Sequence, residues 1–243
     1  MTDKIRNRME LSEFKQINLT DYNKASECEV YIVHVKINNI RQRVEDITKE
    51  IADESWISEL TPSIQVAYKA RARKTIKKIV NDILLKVKDK VTEDFGEYLV
   101  SITAKDILRD HKNHNEIPLA ELLGKKKSGN SGFDFHTLTH NDIISFGEAK
   151  YASSGTPYKN ALSQICSFID EEKDLADILH LEKFVPEDCI HKLTNGEKAF
   201  VAAFSLNAKK TAKIFDNIIK KSKDFDELLQ YKELYLIGVQ VCQ

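Results

Sequence analysis

Residues 131–151 read SGFDFHTLTHNDIISFGEAKY, and the fold is read outward from this stretch. Two strand-like segments, Phe133–Leu138 and Ile143–Tyr151, flank the turn-forming His140-Asn141-Asp142. The pattern predicts a hairpin. A tight turn that pairs Thr139 with Ile143 sets the register and places Asp134 directly across from Glu148. Their Cβ atoms would then lie roughly 4.5–5.5 Å apart, a destabilising arrangement of like charges. A divalent cation between them removes the conflict. Mg²⁺ suits such a set, taking two carboxylates, a main-chain carbonyl such as that of Ala149, and waters. The expectation depends on register, because a slip of one residue sends the two carboxylates to opposite faces. Glu148 and Lys150, two residues apart, leave the same face of a strand. An ammonium there can orient an attacking water or neutralise charge building on a phosphoryl oxygen. Asp134, Glu148 and Lys150 with a divalent metal therefore form a phosphodiester-cleaving apparatus. The plainer alternative is a chance surface E-x-K in a chain that is 31% charged.

Elements on either side build a sheet around this hairpin. Upstream, Val91, Phe95, Tyr98 and Ile102 recur at helical spacing up to about Arg109, and Ile117–Leu123 reads as a further strand. Downstream come a helix from Tyr158 to Ile178, a strand near Ala199–Leu206, a lysine-rich helix near Lys209–Lys221 and a closing strand near Leu234–Cys242. Three strands joined by short loops predict an antiparallel meander, and the later helices predict crossovers to neighbouring strands. Further upstream, residues 28–37 (CEVYIVHVKI) form a buried strand. Ile40, Val44, Ile47 and Ile51 mark a helix, and a second helix runs from Ser63 to about Lys88. The fold class is α/β (α+β), with a mixed central sheet flanked by helices. The chain divides into an N-terminal α/β region, 1–88, and a core domain, 89–243.

Composition narrows the function classes. The chain has 243 residues, 42% of them hydrophobic, with 8 Gly and 4 Pro, which excludes disordered, collagenous and linker-rich classes. Its apolar runs fall well short of the ~20 residues that span a bilayer, and its first residues are too charged for a signal-peptide core. A cytoplasmic protein without a membrane partner is expected. The four cysteines are far apart and form no CxxC pair, so they read as reduced thiols. Net charge is −1, which rules out a uniformly basic nucleic-acid coat but not local basic patches. One such patch has six basic residues between Lys69 and Lys78. Gly124-Lys125-Lys126-Lys127-Ser128-Gly129-Asn130-Ser131 nearly spells a P-loop. Asn130 replaces the essential lysine and a strand follows, so the chain is not an NTPase. Lys125, Lys126 and Lys127 instead suit the backbone of DNA beside the proposed metal. His136, two residues beyond Asp134, either approaches that phosphate or serves as a structural histidine. His111 and His114 lack further ligands at zinc-site spacing.

Asp134 followed by Glu148-Ala149-Lys150 resembles the PD-(D/E)XK nuclease motif, with Phe133 where that motif often has proline. The resemblance covers about residues 91–243 and implies a restriction-endonuclease-like core. Two further residues match. Glu97, in FGEYL, resembles the helix glutamate that many members add as a metal ligand, although a surface glutamate is the simpler reading. Gln164, in QICSF, resembles the QxxxY signature of RecB-type members, with Phe168 replacing tyrosine. The resemblance thus implies Asp134, Glu148, Lys150 and Gln164 as catalytic residues. It implies Glu97, Asp134, Glu148 and the Ala149 carbonyl as ligands of Mg²⁺ or Mn²⁺. The spread of EL, KK, GFDFH and FGEAKY after an N-terminal α/β region is also similar to HamA, the nuclease subunits of Hachiman anti-phage defence. That similarity implies a DNA-cleaving effector in a heterodimer with a superfamily-2 helicase, HamB. The alternatives are a stand-alone restriction or repair nuclease and a catalytically silent binding module of the same fold.

Overall fold

The run EVYIVHVKI is β-branched and aromatic throughout, suiting a strand covered on both faces. In a computed structural model, which describes residues 9–83, 91–120, 122, 132–207 and 211–242, it lies inside a seven-stranded sheet. In chain order the first elements are β1 (Met9–Ile17), β2 (Glu29–Ile37), α1 (Ile40–Ala52), α2 (Pro62–Lys78) and α3 (Glu93–Lys112). The meander follows as β3 (Asn115–Glu116), β4 (Phe135–Leu138) and β5 (Ile144–Lys150). Next come α4 (Pro157–Asp170), the short turns α5 (Lys173–Ala176) and α6 (Ile178–Leu181), and α7 (Glu187–Thr194). The chain closes with β6 (Ala199–Ser205), α8 (Thr211–Lys221), α9 (Lys223–Leu228) and β7 (Glu233–Val241).

The sheet order is β1-β2-β7-β6-β5-β4-β3. β3, β4 and β5 run antiparallel as a meander. β5, β6, β7 and β2 are parallel. Strict alternation splits the sheet residues between two cores. Phe200, Ala202, Leu234 and Leu236 face one side, with Ala161, Leu162 and Ile165 of α4 and Phe215 of α8. Val201, Ala203, Tyr235 and Ile237 face the other, with Ile47 of α1 and Phe95 and Leu99 of α3. The architecture is a mixed α/β sheet flanked by helices, as expected. Among the described residues no helix is long and apolar enough to cross a membrane.

Several details differ from the expectation. β1 is an additional edge strand whose charged Glu10, Glu13 and Lys15 hide its pattern. Such residues blunt an edge against further pairing. β2 pairs with β7 over nine positions, from Glu29–Glu233 to Ile37–Val241, so one sheet runs across the expected boundary at residue 88. No strand forms over the described residues of the one expected at Ile117–Leu123, of which 121 and 123 lie outside the described residues; the strand that pairs there is Asn115 and Glu116 just before it, opposite Leu138 and Thr137. The helix expected to reach Ile178 ends at Asp170, just before Glu172 takes a left-handed backbone (φ 54°). The second helix is α-helical only to Lys78 and then loosens into a π turn over Ile79–Ile83. Its expected end lies outside the described residues. Cys28 and Cys189 are buried, whereas Cys166 is half-buried and Cys242 exposed.

Candidate active site

The hairpin turn closes with the Thr139 N–H donating to the Ile143 carbonyl at 2.9 Å. β4 and β5 then pair Leu138 with Ile144 and Phe135 with Gly147, the register expected from the sequence. At Asp134 the ladder becomes irregular. Phe133 packs in the α4 core and Phe135 in the α3 core, although residues two apart in a regular strand share a face. The Asp134 N–H donates to the Gly147 carbonyl at 2.9 Å, and its carbonyl accepts from the Ala120 N–H at 3.3 Å. Its Oδ2 accepts from the Ala149 N–H at 2.8 Å. Asp134 is therefore held through its own backbone and side chain. The simple face-to-face opposition with Glu148 is corrected accordingly: one Asp134 oxygen is aimed at the backbone of β5. Irregularities of this kind re-aim side chains at strand ends.

Gly147 makes this seam possible. A Cβ there would meet the Phe135 ring at 2.2 Å, so the ring lies against bare backbone. On the next residue, Glu148 points to the face shared with Ile144 and Phe146, and its side chain is 1% exposed. The Lys150 Nζ lies 2.6 Å from Glu148 Oε1. Glu97 Oε1, on α3, is 3.8 Å from the same ammonium. α3 reaches this position because Thr92 caps its first turn, accepting from the Phe95 N–H, and because Gly96 lets it approach β5. A Cβ on Gly96 would come within 2.1 Å of Cγ and 2.7 Å of Cβ of Tyr151. Gly96 and Tyr151 were not singled out from sequence. The signal available was the glycine inside an otherwise helical FGEYL.

Burial works against the Lys150 ammonium, but Glu148 first, then Asp134 and Glu97, outweigh it and hold its pKa above the ordinary lysine value. Lys150 is therefore a fixed positive charge at neutral pH. Three carboxylates face one ammonium, and all the donors are oxygens, which fits a hard divalent cation such as Mg²⁺ or Mn²⁺. In an extended strand the N–H and C=O of one residue leave on the same side. The Ala149 carbonyl therefore faces the side where Asp134 is bound. The Lys150 ammonium is the common partner of Glu148 and Glu97.

The other expected residues fall elsewhere. Gln164 is half-buried on the flank of the α4 stripe of Ala161, Leu162, Ile165 and Phe168, with no hydrogen bond to Glu148 or Lys150 among the described residues. His136 is fully buried, with its Nε2 2.8 Å from Asp177 Oδ2 and its ring edge-on to Phe146. It is a structural histidine, and the expected nucleic-acid contact is corrected on that ground. Lys125, Lys126 and Lys127 lie outside the described residues. His114 is buried between Thr137 and Tyr235, both within hydrogen-bond distance of its ring nitrogens. That placement agrees with setting it aside as a zinc ligand.

Comparison of the chain with protein-family models and with curated proteins finds no match.

Proposed function

We propose that this chain is a metal-dependent deoxyribonuclease of the PD-(D/E)XK type. The carrying observation is the Lys150 ammonium, 2.6 Å from buried Glu148 and 3.8 Å from Glu97, beside an Asp134 tied to the Ala149 N–H. Asp134, Glu148, Glu97 and the Ala149 carbonyl would hold Mg²⁺ or Mn²⁺. When bound, the metal supplies Lewis-acid polarisation of the phosphoryl oxygen and a water nucleophile at neutral pH. Lys150 keeps its proton and offers a fixed positive charge where phosphoryl negative charge grows. The backbone bonds of Asp134 hold its carboxylate in one orientation, so little reorganisation accompanies the reaction.

The resemblance to HamA supports a further step, in which the chain is the effector of a two-component defence complex with a superfamily-2 helicase. These 243 residues contain no P-loop, so ATP-driven unwinding would be supplied from outside them. Calorimetric titration with Mg²⁺ and Mn²⁺ tests the metal assignment: the parent chain binds, and Asp134→Asn loses most of the heat. Equal binding by both proteins would remove Asp134 from the ligand set. Coexpression with a neighbouring helicase gene, followed by size-exclusion chromatography, tests the partnership. Separate elution would favour the stand-alone nuclease.

A further inference from the structure

We propose that the groove between α4 and the α8–α9 corner carries the phosphodiester backbone of the substrate strand away from the site, an inference that rests on the nuclease reading. The groove has a volume of about 590 Å³ and is lined by Lys159, Asn160, Asn217, Lys221 and Lys223, with Tyr158 at one side. The three lysines are exposed and have no carboxylate partner among the described residues. Neighbouring Lys220 contrasts with them, since Asp216 takes its charge at 2.8 Å. Asp224 also lines the groove and offsets one of these charges; its carboxylate lies within 4.8 Å of Cys166 and Glu227. Three ammonium groups against one carboxylate in the lining of the cavity, in a chain of net charge −1, make a local anion site.

Position links the groove to the site. The Tyr158 ring packs 5.9 Å from the Phe204 ring. Phe204 is the registered partner of Lys150 across β5 and β6. The groove is therefore linked to the lysine that would face the reacting phosphate through the Tyr158–Phe204 ring contact and one further strand spacing of ~4.8 Å. α4 also covers the sheet face to which Glu148 points. Tyr158, Lys159 and Asn160 lie in the first turn of this 14-residue helix, whose N-terminal end adds positive potential. Lysines and asparagine amides that contact phosphates position a strand without reading its bases. The ligand is thus a nucleic-acid backbone of any sequence.

The test compares the parent chain with the triple variant Lys159→Gln, Lys221→Gln, Lys223→Gln. Fluorescence anisotropy reads the affinity for a labelled duplex and for one of its single strands across a salt titration. Mg²⁺-dependent hydrolysis of bis(p-nitrophenyl) phosphate reads the site itself, because that small diester needs no track. The expected result is at least about tenfold weaker binding and a salt slope shallower by roughly two to three, with small-diester hydrolysis unchanged. Whichever strand form loses more affinity is the form that runs in the groove. Equal affinity and equal salt slope in parent and variant would overturn the groove and leave the nuclease reading intact. A parent that binds neither form would also overturn it. Weakened binding by the variant, with no small-diester hydrolysis by the parent, would support the groove and count against the nuclease reading.

Discussion

Glu148 and Lys150, two residues apart on β5, form an ion pair of 2.6 Å in which the carboxylate is 1% exposed and the ammonium 20% exposed. Burying both charges is tolerable because Asp134 and Glu97 add to the field at the ammonium. The pair thus has a structural role as well as its proposed catalytic one.

Removing either partner leaves the other charge under-compensated. Glu148→Gln and Lys150→Met should each destabilise the fold by about 1–3 kcal/mol. The double variant should lose less than the sum, with a coupling of about 1 kcal/mol. Urea unfolding of the four proteins measures this, and additive losses would show that the pair contributes no interaction energy.

Gly96 sits in a helix interior, where alanine alone would stabilise by about 1 kcal/mol. Here the added methyl would meet the root of the Tyr151 side chain, which no ring rotation clears. Gly96→Ala should therefore destabilise by about 1–3 kcal/mol and move Glu97 away from Lys150. Thermal unfolding reads the sign directly, and a gain in melting temperature would refute the close packing.

Burial first, then Lys112 and His140, push the His114 pKa down to about 3. Between pH 6.5 and 3 the unfolded chain binds a proton that the folded one refuses, so stability falls as pH drops through that window. His114→Gln should flatten the loss while weakening the fold near pH 7, because the contacts to Thr137 and Tyr235 change. Denaturant midpoints at pH 7 and 4.5 check this.

Glu50 behaves with the opposite sign. Burial first, then Asp106, raise its pKa to about 7 against the opposing pull of Lys105. The folded state holds this proton more tightly than the unfolded one, so stability falls as pH rises from about 4.5 to 7. Glu50→Gln should gain about 1–2 kcal/mol at pH 8 and little at pH 4.5, allowing for the partial exposure of the side chain. An equal effect at both values would remove Glu50 as the titrating group.

The parts legible in the sequence are those governed by local period and turn chemistry. The hairpin register followed from the turn at His140–Asp142, and the buried strands β2, β6 and β7 followed from their apolar runs. β1 was hidden because an edge strand carries charge, and α7 and α9 are too short to show a helical period. The single sheet depends on the pairing of β2 with β7, some two hundred positions apart, which no local pattern encodes. At the site, Asp134, Glu148 and Lys150 were read from spacing, and Glu97 from resemblance. The backbone capture of Asp134 depends on a ladder irregularity that alternation does not foretell. His136 was ambiguous because its partner, Asp177, comes from a distant turn.

The central claim is that Asp134, Glu148 and Lys150 cut DNA with a divalent metal. Cleavage of supercoiled plasmid and linear DNA, with Mg²⁺ and with EDTA, tests it most directly. The chain should be assayed alone and with its helicase neighbour, beside Glu148→Ala. The account predicts nicking that requires Mg²⁺ and is abolished by Glu148→Ala in a folded protein. Full nicking by Glu148→Ala in Mg²⁺, or cleavage indifferent to EDTA, would contradict it.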